Sequence, residues 1–413
     1  QKFNIILMTN SPSLKNRFTD FFGINKNISA MVIMVVLIML GEKMGERFLP
    51  LYILAIGGTN LAVGFLNAMD NLLSALYSFP GGYLSDKIGY KKALMLFTSI
   101  AMLGYLIVII FQSWQAVFIG SVLFISWSAV SLPAIMSLIS KAVPANKRTM
   151  GITVHSLVKR IPMSLGPLLG GTLISIYGTT TGIRISFITA FALGIVALFA
   201  IHYLMEDEIV ASKSSRLRDL LRLKTFNPTL RNLLVSDMLI RFAEQIPYAF
   251  VVIWCVNYIG VSAFQFGILT VVEMVTSVLV YIPIAYYADR YFKKPFILIT
   301  FIFFTIFPLV IYFSSSFAAL VIAFIIRGLK EVGEPTRKSL IMDLAPEDAK
   351  AETFGTYYLF RDIVVSVAAL SSAFLWNISP FTNFITAFVC GLIGTIWFAI
   401  WGKDFKKEEA KSF

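Results

Sequence analysis

The stretch LIMLGEKMGERFLPLYIL, residues 37–54, places Glu42, Lys43, Glu46 and Arg47 within six residues, between two apolar runs. Residues 28–41 make a helix of about 21 Å and residues 48–56 a shorter one, so neither crosses a hydrocarbon core of about 30 Å alone. Joined through EKMGER they form one helix of about 29 residues and roughly 43 Å, which covers the core and both interfaces. The four charges then lie near mid-depth, where insertion costs about 2.5–3.5 kcal/mol per ionised group and on the order of 10 kcal/mol together. Some twenty apolar neighbours at about 0.5 kcal/mol each roughly offset this. A segment so balanced must turn its charged face toward protein partners or a water-filled cavity.

The rest of the chain reads the same way. Of 413 residues, 57% are hydrophobic and 14% charged, whereas soluble domains carry about a quarter charged residues. Polar breaks divide the apolar sequence into twelve spans: 28–56, 60–85, 92–112, 115–142, 149–176, 183–205, 230–258, 263–288, 295–314, 317–344, 351–377 and 381–402. Helices fit these lengths, and the weaker alternation of a strand barrel is absent from the pattern. The expected fold is an all-α membrane protein with two six-helix bundles, 28–205 and 230–402. A cytoplasmic segment at 1–27, a linker at 206–229 and a tail at 403–413 complete it. Leu217, Leu220, Leu221 and Leu223, interleaved with Arg216, Arg218, Arg222 and Lys224, make the linker either a short helix lying on the inner leaflet or a solvated tether.

Lys87, Lys91, Lys92, Lys141, Lys147, Arg148, the basic linker, Arg290, Lys293 and Lys294 fall on one side of these spans; the opposite loops carry Arg184 alone. The positive-inside rule therefore puts both termini and the linker in the cytoplasm, in a multi-pass plasma-membrane protein (the inner membrane of a bacterium). The net charge of +12 then faces anionic lipid, and nucleic acid is not an expected partner. The N-terminus lacks the pattern of a secretory signal, so insertion rests on the spans. Cys255 and Cys390 lie inside apolar segments and read as small hydrophobes. A monomer is expected.

Sliding the chain along itself by 203 positions pairs Asp70 with Glu273, Ser74 with Ser277, Pro80 with Pro283, Asp86 with Asp289 and Lys87 with Arg290. A shift of 202 pairs Pro133 with Pro335, Ser137 with Ser339 and Pro144 with Pro346. Matches of polar residues and prolines in so apolar a chain mark parallel repeats, the architecture of transporters that rock two bundles around a midplane site. Further charges sit within the spans: His155, Lys159 and Arg160; Asp237, Arg241 and Glu244; Arg327, Lys330, Glu331 and Glu334; Arg361 and Asp362. Pairs such as Arg327 with Glu331 and Asp237 with Arg241 stand four apart, as helical ion pairs do. Static pairing accounts for any one of them; as a set they mark a polar path.

Between the second and third spans, GGYLSDKIGYKK resembles the loop motif of the major facilitator superfamily, met here by Gly82, Asp86, Lys87, Gly89 and Lys91. The second copy keeps Asp289 and Arg290 but has Ala285 and Phe292 in place of the glycines. Gly89 suits a tight reversal, Lys87, Lys91 and Lys92 suit anionic head groups, and Asp86 suits a helix N-terminus across the seam between halves. In the fifth span Gly166, Pro167, Gly170 and Gly171 are similar to the end of the glycine motif of the family's antiporters, although Thr153 and Pro162 replace glycines upstream; close helix packing explains them equally. The fourth span has Ile125, opposite Arg327, where proton-coupled drug exporters of the family have arginine.

The resemblance implies secondary active transport by alternating access, here of a small amphipathic or charged solute, with proton-coupled efflux as the leading reading and proton-coupled uptake of a polar metabolite as the alternative. A receptor that keeps the fold without turnover is also compatible. No HExxH, Cys/His metal spacing or phosphate-cradling glycine loop is present, so no enzyme, metal or cofactor is expected. Protons are the expected coupling ion, carried by acids lacking a cation one helical turn away: Asp70 and Glu273 first, then Glu42 and Glu46, a repelling pair tempered by Lys43. Substrate contacts are expected from Lys43, Arg47, Asp237, Arg241, Glu244, Arg327, Lys330 and Glu331, with Trp127, Tyr248, Trp254 and Tyr357 as aromatic lining.

Overall fold

The computed structural model describes residues 26–125, the single positions 127, 131 and 135, and residues 148–205, 226–288, 293–345 and 350–403. Among these, all regular structure is helical. The first half contains α1 (Lys26–Glu46), α2 (Leu49–Ala55), α3 (Asn60–Ile88), α4 (Tyr90–Ile110), α5 (Trp114–Phe124), α6 (Arg148–Tyr177) and α7 (Thr179–Leu204). The second contains α8 (Pro228–Tyr248), α9 (Phe250–Ile253) running into a π turn (Trp254–Tyr258), α10 (Ala263–Ala288), α11 (Lys294–Phe313) and α12 (Phe317–Leu329). A 3-10 turn (Lys330–Gly333), α13 (Glu334–Leu344), α14 (Lys350–Ile378) and α15 (Pro380–Trp401) complete it. These elements follow the twelve expected spans with ends that differ by up to four residues, the fourth span being described only to Ile125 and at three further positions. Helices α4, α7, α10, α11, α14 and α15 are each long and apolar enough to cross a bilayer, and the bent α8–α9 pair makes a seventh. The amphipathic pattern at 217–224 lies outside the described residues.

The first span is not the single straight helix expected from its length. It breaks at Arg47 and Phe48, between α1 and α2. Pro50 is the cause: it lacks an N–H for the carbonyl of Glu46, and its ring crowds that carbonyl, so α1 stops there. The Phe48 N–H turns back to Gly45 O at 3.0 Å, and the helix restarts. The seventh span bends by 40° at the equivalent place, Ala249, two residues after Pro247. In the tenth, Pro335 stands at the start of α13, and the turn before it tightens to 3-10 geometry. Three charged spans are thus interrupted at the depth where their charges lie.

Within the halves α1 packs against α6 and α7, and α8 against α14 and α15. Two seams join the halves: α6 against α10, and α3 against α14. These are spans five with eight and two with eleven, so the repeat maps one seam onto the other, as a pseudo-two-fold between the halves requires. Small residues let the backbones meet. A Cβ on Gly170 would overlap the Met44 backbone of α1, and one on Gly267 would come within 2.7 Å of Leu168 Cα across the seam. Polar side chains fix the register: Asn67 Nδ2 donates to Gln245 O and Asn71 Nδ2 to Gln245 Oε1, both at 3.2 Å, and Asn60 meets Asn377 at 2.9 Å.

Candidate functional site

A cavity of ≈ 540 Å³, its open mouth included, lies where the broken first and seventh spans face each other. Helices from both halves line it. Glu46, Arg47 and Pro50 come from the first span, Asn67 and Asp70 from α3, Ile125 from the fourth span, Tyr248 and Val251 from the seventh, Phe266 from α10 and Arg327 from α12. A smaller hollow of ≈ 270 Å³, lined by Glu244, Phe304, Phe307 and Lys330, shares Tyr248, Val251 and Arg327 with it. Those three residues form the wall between the two spaces. The helix breaks explain the access: where the ladder is interrupted, neighbouring helices separate enough for side chains to project into a shared hollow.

On the first-half side, Lys43 Nζ donates to Glu42 at 3.1 Å and also to Glu46. One ammonium thus reaches both carboxylates on its flexible stem and offsets only one of their two charges, so the expected sharing of a proton between Glu42 and Glu46 stays open. Glu42 is buried and its second oxygen has no hydrogen-bond partner. Arg47 lies over the Tyr248 ring at 5.3 Å. Asp70 forms no ion pair with any described lysine or arginine; its side-chain partner is Ser74. Its repeat mate behaves differently. Glu273, 2% exposed, is held by Arg327 Nε at 3.2 Å, so the expectation that it lacks a cation fails. Arg327 is 54 positions away in sequence, beyond any helical-spacing argument. The expected pairing of Arg327 with Glu331 also fails, because the 3-10 turn at Lys330–Gly333 intervenes; Glu331 instead reaches Arg160 across the halves at 3.2 Å.

The second half contains a closed network. Asp237, 0% exposed, receives Arg337, Tyr357 Oη at 3.0 Å, Arg361 at 3.6 Å and Arg241 at 3.8 Å. Glu244 bridges Arg241 and Lys330, both at 2.6 Å, and Glu334 bridges Arg241 and Arg337. With Asp362 on Arg361 at 2.7 Å, four acids meet four bases. Such a set has little net charge and satisfies most of its donors, which is what makes buried ions tolerable. Arg337, 1% exposed, is the member that sequence reading missed. Its signal was the three-residue spacing from Glu334, hidden by its position near the C-terminal end of the span.

Of the expected aromatic lining only Tyr248 borders the cavity. Trp127 is buried and donates to Thr98 Oγ1 at 3.3 Å, Trp254 donates to Ile311 O at 3.1 Å within an aromatic cluster, and Tyr357 belongs to the second-half network. Gly89 adopts φ 87° and joins α3 directly to α4, the tight reversal expected of it. Lys87 is exposed, near the Tyr83 ring, and Lys91 donates to His202 O and Met205 O, at 2.8 and 2.7 Å, at the C-terminal end of α7. Lys294, its mate at a shift of 203, does the same to Ala399 O near the end of α15, at 2.8 Å. Gly82 lies within α3; the Asp86 side chain, Asp289 and Arg290 lie outside the described residues. Gly166 and Gly170 seat α6 on Lys43 and Met44 of α1, Gly171 seats it on Ala263 across the seam, and the Pro167 carbonyl faces Gly267.

Two pseudo-symmetric bundles enclosing a charged cavity at their interface define a membrane transporter. The sequence matches the Major Facilitator Superfamily over residues 29–240 and again over 233–412. The chain belongs to that superfamily. It is 21% identical over 371 residues to the MFS-type transporter MJ1317 of Methanocaldococcus jannaschii, covering 86% of this chain and 89% of that one. It is 28% identical over 209 residues to the multidrug resistance protein MdtG of a Rahnella species, covering 48% of each. A crystal structure of a peptide transporter POT in complex with sulfate superposes with a TM-score of 0.74 at 14% identity, over 91% of this chain and 93% of the other, a likeness of fold.

Proposed function

We propose that this transporter exports a small amphipathic or charged solute in exchange for protons, by alternating access of the cavity between the halves, and that Asp70 carries the proton. The observation that carries the reading is the asymmetry between repeat mates. Glu273 is paired with Arg327, while Asp70 shares the cavity lining with Ile125, the residue at the arginine's place in the first half. A carboxylate without a cation exchanges a proton without first breaking an ion pair, and Asp70 borders the cavity where a solute would reach it. Partial similarity to MdtG, a multidrug resistance protein, supports the outward direction. Both termini are assigned to the cytoplasm on the distribution of lysine and arginine.

Reconstitution into proteoliposomes with an imposed proton gradient tests this. Adding a transported solute should dissipate the gradient, read by a pH-sensitive dye, in the wild type and not in Asp70→Asn. If no member of a panel of lipophilic cations and zwitterions does so, or if Asp70→Asn behaves as wild type, the proton assignment is wrong.

A further inference from the structure

Four acidic or basic side chains line the cavity: Glu46, Arg47, Asp70 and Arg327. Two form ion pairs with residues that do not line it, Glu46 with Lys43, which Glu42 shares, and Arg327 with Glu273 at 3.2 Å. The other two have no ion-pair partner among the described residues. Arg47 lies over the face of Tyr248 at 5.3 Å, and Asp70 bonds the hydroxyl of Ser74. They are not paired with each other either, although both line the same space, so it presents one positive and one negative site. The fourth span, which is described only in part beside this cavity, supplies no hidden counter-charge: residues 126–140 contain no Asp, Glu, Lys or Arg. Besides Asn67 and Tyr248, the same lining includes the apolar residues Leu49, Val63, Leu66, Val251, Val252 and Phe266.

We infer that the cavity recognises a small zwitterion with an apolar body: its carboxylate or equivalent anion takes the Arg47 guanidinium, its ammonium takes Asp70, and its side chain lies on the apolar wall. Desolvating two unpaired opposite charges in one hollow is unfavourable unless a ligand brings the complementary pair, and such a pair forms two charge-assisted hydrogen bonds at once. A ligand with only one charge leaves the other site unsatisfied, so the discrimination comes from a buried group left without a partner. This assignment rests on the transport reading for its biological use, but it concerns binding alone.

The test is equilibrium binding of three matched probes to the purified full chain in detergent, by thermal stabilisation or calorimetry: phenylalanine, its amide, which is a cation only, and N-acetylphenylalanine, an anion only. Phenylalanine should bind about tenfold or more tightly than either analogue. Arg47→Gln should abolish the preference over the amide while keeping that over the acetylated acid, and Asp70→Asn should do the reverse. A wild type that binds either analogue as well as the zwitterion, or that binds none of the three, overturns the inference. So does a variant pair in which both preferences fall together. Binding of the zwitterion without dissipation of a proton gradient keeps this inference and rejects proton-driven transport; gradient dissipation by a lipophilic cation without zwitterion binding does the opposite.

Discussion

Two intramembrane aspartates in this protein should respond oppositely to the same substitution. Asp237 is fully buried among three guanidinium groups and a tyrosine hydroxyl, with Arg361 at 3.6 Å, Arg241 at 3.8 Å and Arg337 in direct contact. At an effective dielectric of about 20 the two longer contacts are each worth roughly 4–5 kcal/mol of gross attraction, before desolvation and repulsion between the arginines are subtracted. Removing one partner from a buried pair costs about 3–5 kcal/mol net, because the remaining charge stays buried. Asp237→Asn therefore costs about 4 kcal/mol, on the order of 8–16 °C in melting temperature if each half unfolds as a cooperative unit of about 200 residues. Asp70→Asn removes no ion pair and keeps a group that can bond Ser74, so its cost is about 1 kcal/mol or less. Both variants are melted side by side in one detergent, followed by intrinsic fluorescence. Equal destabilisation would mean that Asp70 has a structural counter-charge, and the case for it as the exchangeable acid would fail.

Three other substitutions probe the same arrangement. Ile125→Arg supplies to Asp70 the cation that Glu273 already has; solute-induced proton movement should fall at least tenfold, while Ile125→Leu leaves it intact. Gly170→Val drives a branched side chain into the Met44 backbone and, at about 1–3 kcal/mol or more for overpacking, should lower the yield of monodisperse protein in size-exclusion chromatography. Reversing either member of the Arg160 and Glu331 pair should lower the melting temperature by a few degrees, and reversing both should restore most of it, since the pair links the halves at 3.2 Å.

Hydropathy alone located the spans, because hydrocarbon thickness fixes their length and polar breaks bound them. The repeat was legible from prolines and carboxylates that lipid would not tolerate by chance. Local backbone chemistry was harder to weigh. Pro50 stood in plain view, yet the length of the joined segment argued for a continuous helix; the protein keeps the span and breaks the helix within it. Partners of the charges were the least legible feature. Spacing along one helix identified Asp237 with Arg241 but could not foresee Arg327 on Glu273, Glu331 on Arg160 or Arg337 on Asp237, since each joins different helices and depends on their rotation in the bundle. The contrast between Ile125 and Arg327 lies in the sequence itself, but its consequence depends on a contact between helices: Glu273 pairs with that arginine, and Asp70 has no cation partner among the described residues.

The central claim is that the two halves rock about the Asp70 cavity and that protonation there biases the motion. Spin labels at positions 60 and 377, whose native asparagines touch across the α3–α14 seam at 2.9 Å, report this directly by double electron–electron resonance in nanodiscs, with Cys255 and Cys390 replaced by alanine. The account predicts two distance populations whose weights change between pH 5.5 and 8 in the wild type and no longer change in Asp70→Asn. A single short distance at every pH, or a pH response that survives Asp70→Asn unaltered, contradicts it.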